Sequence, residues 1–209
     1  MSFNGKVNYK LYLVTDRDVL AGRDLFKSVE DAILGGVTLI QLREKNVSTL
    51  KFYNIALKLK KVTDKYNIPL IINDRLDIAL AADAAGLHIG QDDMPLKTAR
   101  KILGDKKIIG VSVSNAEEAL KAQNDGADYV GAGAVFSTST KKDAYSVTLK
   151  ELKRIKESIK IPVVAIGGIN KDNIKSVMQA GADGAAIISA ILKEKDIKSA
   201  CKDMLLRMS

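Results

Sequence analysis

Short, near-continuous apolar runs punctuate the chain at Leu11–Thr15, Thr38–Leu42, Leu70–Asn73, Gly86–Ile89, Ile108–Val113, Tyr129–Ala132, Pro162–Ile166 and Gly184–Ile188. They do not alternate polar with apolar, the pattern of strands covered on both faces. Longer stretches between them carry apolar residues at three- and four-residue spacing, which predicts helices over Asp24–Leu34, Ser48–Lys65, Pro95–Leu103, Asn115–Asn124, Thr148–Ser158 and Lys171–Gln179. Arg75–Ala82 reads as a shorter helix and Asp196–Leu206 as the closing one. Punctuation agrees with the periodicity. Ser48 suits an N-cap and Pro95 a first helical position, while Gly35-Gly36, Gly126 and Gly181 stand where helices should stop.

A strand followed by a helix, repeated around eight apolar runs, predicts a parallel sheet with right-handed crossovers. Eight such strands close into a (β/α)8 TIM barrel. A doubly wound open sheet is the alternative, but its first strand should enter a Gly-x-Gly-x-x-Gly turn, and Leu13-Val14-Thr15-Asp16-Arg17 has none. No linker or composition shift interrupts the pattern, so residues 1–209 read as one barrel domain. Gly126-Ala127-Asp128 and Gly181-Ala182-Asp183 repeat one phrase before two strands, which reads as a shared helix-to-strand turn.

Composition narrows the function. At 209 residues the domain buries a large core without staples, and Cys201, the only cysteine, allows no internal disulfide. That fits a reducing, cytoplasmic setting. No apolar run spans a bilayer, and Met1–Lys10 has no secretory apolar region, so neither membrane nor export is expected. The formal charge of +8 raises nucleic acid as a partner, but the basic residues are dispersed and aromatics are 5%, which favours small anionic substrates. A homo-oligomer is compatible with the sequence and not specified by it.

In this fold chemistry gathers where strands end. Gln41, Arg43 and Lys45 alternate along the end of the second run and share a face opposite Leu42; two cations and an amide suit a phosphate or diphosphate. Asn73-Asp74 ends the third run and Gln91-Asp92-Asp93 follows the fourth, which brings carboxylates from neighbouring strands together as hard ligands for Mg2+. Helix capping could explain any one of Asp74, Asp92 and Asp93, but not why both sites fall beside the basic end of the second run. Ser112 or Ser114 could donate to phosphate, with a cap the better reading of Ser114. Phe136–Asp143, polar and rich in hydroxyls, is a candidate lid. Gly167-Gly168 and Ile188-Ser189 fall where such barrels bind phosphate. His88, the only histidine, lies in an apolar run and reads as a satisfied interior residue; with one histidine, multi-histidine metal clusters are excluded. A site rich in phosphate binders and poor in bases suits departure of a good leaving group.

The motifs Tyr12-Leu13-Val14-Thr15-Asp16, Gln41-Leu42-Arg43-Glu44-Lys45, Ile72-Asn73-Asp74, Gly86-Leu87-His88-Ile89-Gly90-Gln91-Asp92-Asp93, Gly110-Val111-Ser112, Thr138-Ser139-Thr140-Lys141 and Ile166-Gly167-Gly168-Ile169 run in order over nearly the whole chain. Together they resemble the thiamine phosphate synthase family. The resemblance implies a transferase that joins 4-amino-2-methyl-5-(diphosphooxymethyl)pyrimidine to a thiazole ethyl phosphate or its carboxylated form, giving thiamine phosphate and pyrophosphate. It implies that Gln41-Leu42-Arg43-Glu44-Lys45, Asn73, Ser112 and Lys141 hold the pyrimidine diphosphate, with Arg43, Lys45, Ser112 and Lys141 assisting the chemistry. Asp74 and Asp93 are then the Mg2+ ligands, and Thr138, Ser139, Thr140, Gly168, Ile188 and Ser189 surround the thiazole phosphate. Ala134 and Ser137 depart from the family by replacing prolines around the sixth loop. Rival readings are a thiazole tautomerase on the same barrel, a thiazole-phosphate-binding protein without turnover, and a sugar-phosphate epimerase. The acid/base pair of the epimerase is not visible here. Retention of Arg43, Lys45, Asp74, Asp93 and Lys141 argues against the tautomerase.

Overall fold

The computed structural model describes residues 6–137 and 147–209. Strands β1 (Leu11–Val14), β2 (Leu39–Leu42), β3 (Leu70–Asn73), β4 (Gly86–Ile89), β5 (Ile108–Val113), β6 (Tyr129–Gly133), β7 (Val163–Ile166) and β8 (Gly184–Ile187) form a closed parallel barrel in chain order. Each predicted strand is present, with its ends within one residue of the apolar run. Around the ring lie α1 (Arg17–Leu20), α2 (Leu25–Leu34), α3 (Thr49–Lys65), α4 (Leu76–Ala81), α5 (Leu96–Leu103), α6 (Ala116–Asn124), α7 (Leu149–Ser158), α8 (Ile174–Gln179), α9 (Ser189–Leu192) and α10 (Ile197–Arg207).

Local chemistry sets these boundaries. Asp24, Ser48, Asn115, Thr148 and Asp196 cap α2, α3, α6, α7 and α10 through side-chain oxygens that accept backbone N–H bonds. Three expectations need correction. Pro95 stands at the cap position of α5, one residue before the helix, and makes no side-chain cap bond. Ser114 does not cap α6; Asn115 does, while the Ser114 N–H and hydroxyl donate to Glu118. Residues Lys171–Asn173 are a turn, because Asn173 Oδ1 accepts from the Asn170 N–H and Asn170 Oδ1 from the Asp172 N–H, which diverts the backbone from the helix. The four-residue helices α1 and α9 were not anticipated, being too short to show a period.

Alternation along each strand sorts the core into two layers. Leu13, Ile40, Leu42, Ile72, Leu87, Ile109, Val130, Ala165 and Ile187 face the helices. Tyr12, Val14, Leu39, Ile71, Tyr129, Val164 and Ala186 fill the barrel itself. Two tyrosines are large for that space, and small neighbours make room: a Cβ at Gly110 would overlap the Tyr129 ring, and one at Gly131 would lie 3.0 Å from His88 Cε1. The repeated Gly-Ala-Asp phrase is one device used twice. The Asp128 N–H donates to the Ile109 carbonyl and its carboxylate accepts from the Ile109 N–H; Asp183 does the same with Val163. Each aspartate thereby fixes the register of its strand against the preceding one.

Candidate active site

Among the described residues, the polar positions singled out from sequence lie at or near the C-terminal ends of the strands, and the bonds around them show how several are held. At the end of β2, Gln41 is buried in the barrel and its Nε2 donates to Tyr12 Oη over 2.8 Å. Two residues on, the Arg43 N–H donates to Thr15 Oγ1 at 3.0 Å, and Nη1 donates to Asp16 Oδ2 at 2.8 Å. Asp16 Oδ1 at the same time accepts from the Asp18 and Val19 N–H groups and so caps α1. One carboxylate therefore locks both the α1 turn and the Arg43 guanidinium, whose other donors make no bond among the described residues.

The side chains of Leu42 and Glu44 are engaged elsewhere. Leu42 is fully buried against the helices, since alternation turns it away from the barrel. The Glu44 carboxylate accepts from Arg17 Nε at 2.7 and 2.8 Å and is buried by that pair. Lys45 is exposed at the rim.

At the end of β3, Asn73 Nδ2 donates to Asp74 Oδ1 at 2.7 Å, and the Asp74 N–H donates to the His88 carbonyl of β4 at 2.8 Å. Asp74 has φ of 61°, the left-handed region that aspartate tolerates better than most residues. After β4, the Gly90 N–H donates to Asp93 Oδ2 at 2.6 Å. Neither aspartate caps a helix: Arg75 and Pro95 occupy the cap positions of α4 and α5, without side-chain cap bonds. The capping explanation for Asp74, Asp92 and Asp93 therefore falls away. No group of three or more His, Cys, Asp or Glu side chains among the described residues could enclose a metal.

His88 is interior, as its setting in an apolar run suggested. Its Nδ1 lies 2.9 Å from Tyr129 Oη and its Nε2 3.0 Å from Ser112 Oγ. Ser112 is half-buried, and its carbonyl accepts from Gln91 Nε2 at 2.6 Å. Sequence reasoning missed the partners Tyr12 and Tyr129; the signal available was two large polar-tipped residues in runs otherwise aliphatic.

Across the mouth, Gly167 and Gly168 have φ of 99° and 64°, a backbone that a side chain would strain. Asn173 Nδ2 holds the turn by donating to the Gly168 carbonyl at 3.0 Å. Ile188 and Ser189 lead into α9. Thr138, Ser139, Thr140 and Lys141, with most of the candidate lid, lie outside the described residues.

A sequence profile described as thiamine monophosphate synthase matches residues 11–191. The chain is 62% identical over 198 residues to the thiamine-phosphate synthase of Clostridium acetobutylicum, covering 95% of this chain and 94% of that one. It is 58% identical over 201 residues to that of Clostridium tetani, covering 96% of each. Among solved structures it is similar to thiamine phosphate pyrophosphorylase from Pyrococcus furiosus, with a TM-score of 0.89 and 44% identity over 97% of this chain and 96% of that one.

Proposed function

The chain belongs to the thiamine monophosphate synthase family, and from that premise we propose which groups do the work of this transferase. The observation that carries the reading is the convergence at one end of the barrel of an oriented Arg43, the carboxylates of Asp74 and Asp93, and the Gly167-Gly168 turn. That set suits two phosphorylated substrates, a pyrimidine diphosphate and a thiazole phosphate. No helix among the described residues is long and apolar enough to cross a membrane. A cytoplasmic setting, suggested by the free Cys201, is part of the same proposal.

Arg43 and Lys45, joined by Lys141, bind the diphosphate and take up the charge that grows on the departing pyrophosphate. Ser112 donates to the same anion, and Gln41 orients the aminopyrimidine. Asp74 and Asp93 fit Mg2+: both offer hard oxygen donors from adjacent strands, and each is held by an N–H bond at one oxygen. The ion bound there offsets diphosphate charge. Gly168 and Ser189, with Thr138, Ser139 and Thr140, hold the thiazole phosphate, so that the thiazole nitrogen lies close to the pyrimidine methylene carbon. The bond from that carbon to the diphosphate oxygen breaks, and the bond to the thiazole nitrogen forms. No strong protein base is required, which agrees with a lone histidine whose ring nitrogens face Tyr129 and Ser112.

The test is a turnover assay with both substrates, with Mg2+ or with EDTA, reading thiamine phosphate as fluorescent thiochrome. Metal-dependent product is expected. Folded protein that gives none would favour a tautomerase or a binding protein instead.

A further inference from the structure

Five side chains form one hydrogen-bonded line through the barrel, from one side of the mouth to the other. It runs from Gln41 Nε2 to Tyr12 Oη at 2.8 Å, to Tyr129 Oη at 2.9 Å, to His88 Nδ1 at 2.9 Å, and from His88 Nε2 to Ser112 Oγ at 3.0 Å. Tyr12 and Tyr129 are completely buried, and burial raises both hydroxyls well above the ordinary tyrosine range, so each keeps its single proton.

With every buried proton hydrogen-bonded, such a line has only two polarities, because each hydroxyl has one proton to give and an unbonded buried O–H is costly. With the Gln41 amide nitrogen turned inward, Tyr12 Oη accepts and must send its own proton to Tyr129 Oη. Tyr129 then sends its proton to His88 Nδ1. The imidazole carries its proton on Nε2 and donates to Ser112 Oγ, and the Ser112 proton is left to point into the mouth. The Gln41 Oε1 completes the arrangement. It makes no hydrogen bond within the described residues, and no sealed side-chain polar atom among them lacks a partner, so Oε1 is not sealed among them. Reversal would need the amide flipped; Ser112 would then donate to His88 and turn only lone pairs toward an arriving anion.

We propose that Tyr12 and Tyr129 are positioning residues that transmit the polarity of the Gln41 amide through His88 to Ser112, so that the mouth presents an acceptor at Gln41 and a donor at Ser112. The use made of that pair rests on the function proposed above. Oε1 meets an N–H of the aminopyrimidine, and the Ser112 hydroxyl meets the diphosphate. A substrate carrying an acceptor where the pyrimidine carries its amine is disfavoured by the same line.

The chain has one histidine, so its ring nitrogens give a single set of signals in nitrogen-15 NMR of the whole, ligand-free protein. The expected result is a neutral ring protonated on Nε2. A ring protonated on Nδ1, or on both nitrogens, overturns the proposal. Tyr12→Phe removes a link whose hydroxyl bonds to Gln41 and Tyr129, not to the imidazole. In the folded variant a second His88 tautomer should appear. kcat/KM for the pyrimidine diphosphate should fall about tenfold, the scale of one hydrogen bond, with KM for the thiazole phosphate unchanged. His88 signals identical to those of the parent protein overturn the transmission. Should Tyr12→Phe not fold, Tyr129→Phe puts the same question one link closer. The NMR result needs no substrate, so a parent protein that shows the Nε2–H ring but no turnover supports the polarity while sinking the functional reading.

Discussion

Removing Asp16 should damage the protein in two separable ways, because its two oxygens do different jobs. Oδ1 accepts the N–H groups of Asp18 and Val19 at 3.0 and 3.1 Å, and Oδ2 accepts Arg43 Nη1 at 2.8 Å, with both partners of the ion pair mostly shielded from water. Losing an N-cap costs about 1 kcal/mol. Losing a hydrogen bond to a shielded charged partner costs about 2 kcal/mol. Asp16→Ala loses both, about 3 kcal/mol. Asp16→Asn keeps an oxygen for the cap but opposes an amide N–H to the guanidinium, so it loses only the second part. With a urea dependence of about 2 kcal/mol per molar, the unfolding midpoints should fall by about 1.5 M for Ala and about 1 M for Asn. Kinetics should separate orientation from charge. An untethered Arg43 samples other rotamers, so kcat/KM for the pyrimidine diphosphate should fall about tenfold in Asp16→Asn, although the mouth has become more positive. If instead KM falls and turnover is kept, Asp16 is merely a competing anion and its positioning role is refuted.

Asp93→Asn and Asp74→Asn should each lower turnover by about a hundredfold or more and raise the Mg2+ concentration needed for half-maximal rate, read by titrating metal in the thiochrome assay. Full turnover in EDTA by the parent protein would remove the metal from the scheme. Gly110→Ala puts a methyl group into the Tyr129 ring and should destabilise the fold by about 1–3 kcal/mol, measured as a lowered unfolding midpoint. Alkaline pH should destabilise the protein. Burial pushes the Cys201 thiol from its ordinary 9.0 up to about 12 and raises the Tyr9, Tyr12 and Tyr129 hydroxyls. Above about pH 9 the unfolded chain loses protons that the native one retains, so stability is full below that pH and falls as pH rises from there. Denaturation midpoints that stay level between pH 9 and 11 would contradict this.

The barrel was legible because its grammar is local. Each strand is an apolar run and each longer helix a period, and Ser48 announces the cap of α3 in one residue. Parallel pairing then leaves few ways to join them. The ends of β2, β3 and β4 were legible for the same reason: alternation alone puts Gln41 inward and Leu42 outward. Capping, the alternative explanation of Asp74 and Asp93, was a matter of one or two residues in register, which sequence cannot resolve and the cap positions of α4 and α5 do. Through-space pairs were the part out of reach. Nothing near Arg43 in sequence says that Asp16 holds it, nor that Arg17 occupies Glu44. Nothing in the runs that hold Tyr12 and Tyr129 says that their hydroxyls meet, since the two lie on different strands, 117 positions apart.

The pairing of β1 with β8 has a consequence for how the molecule comes into being. Leu11, Tyr12 and Leu13 align with Ala185, Ala186 and Ile187, so the first strand waits for nearly the whole chain before its second edge is covered. That edge is shaped for close approach: at Gly184 the neighbouring backbone carbonyl of Tyr9 occupies the space a side chain would need. During synthesis β1 therefore carries an open, strongly apolar edge while seven further strands emerge, a hazard for association with other nascent chains. The ring closes only when its last strand leaves the ribosome, so the final step of folding is also the step that ends the chain's exposure.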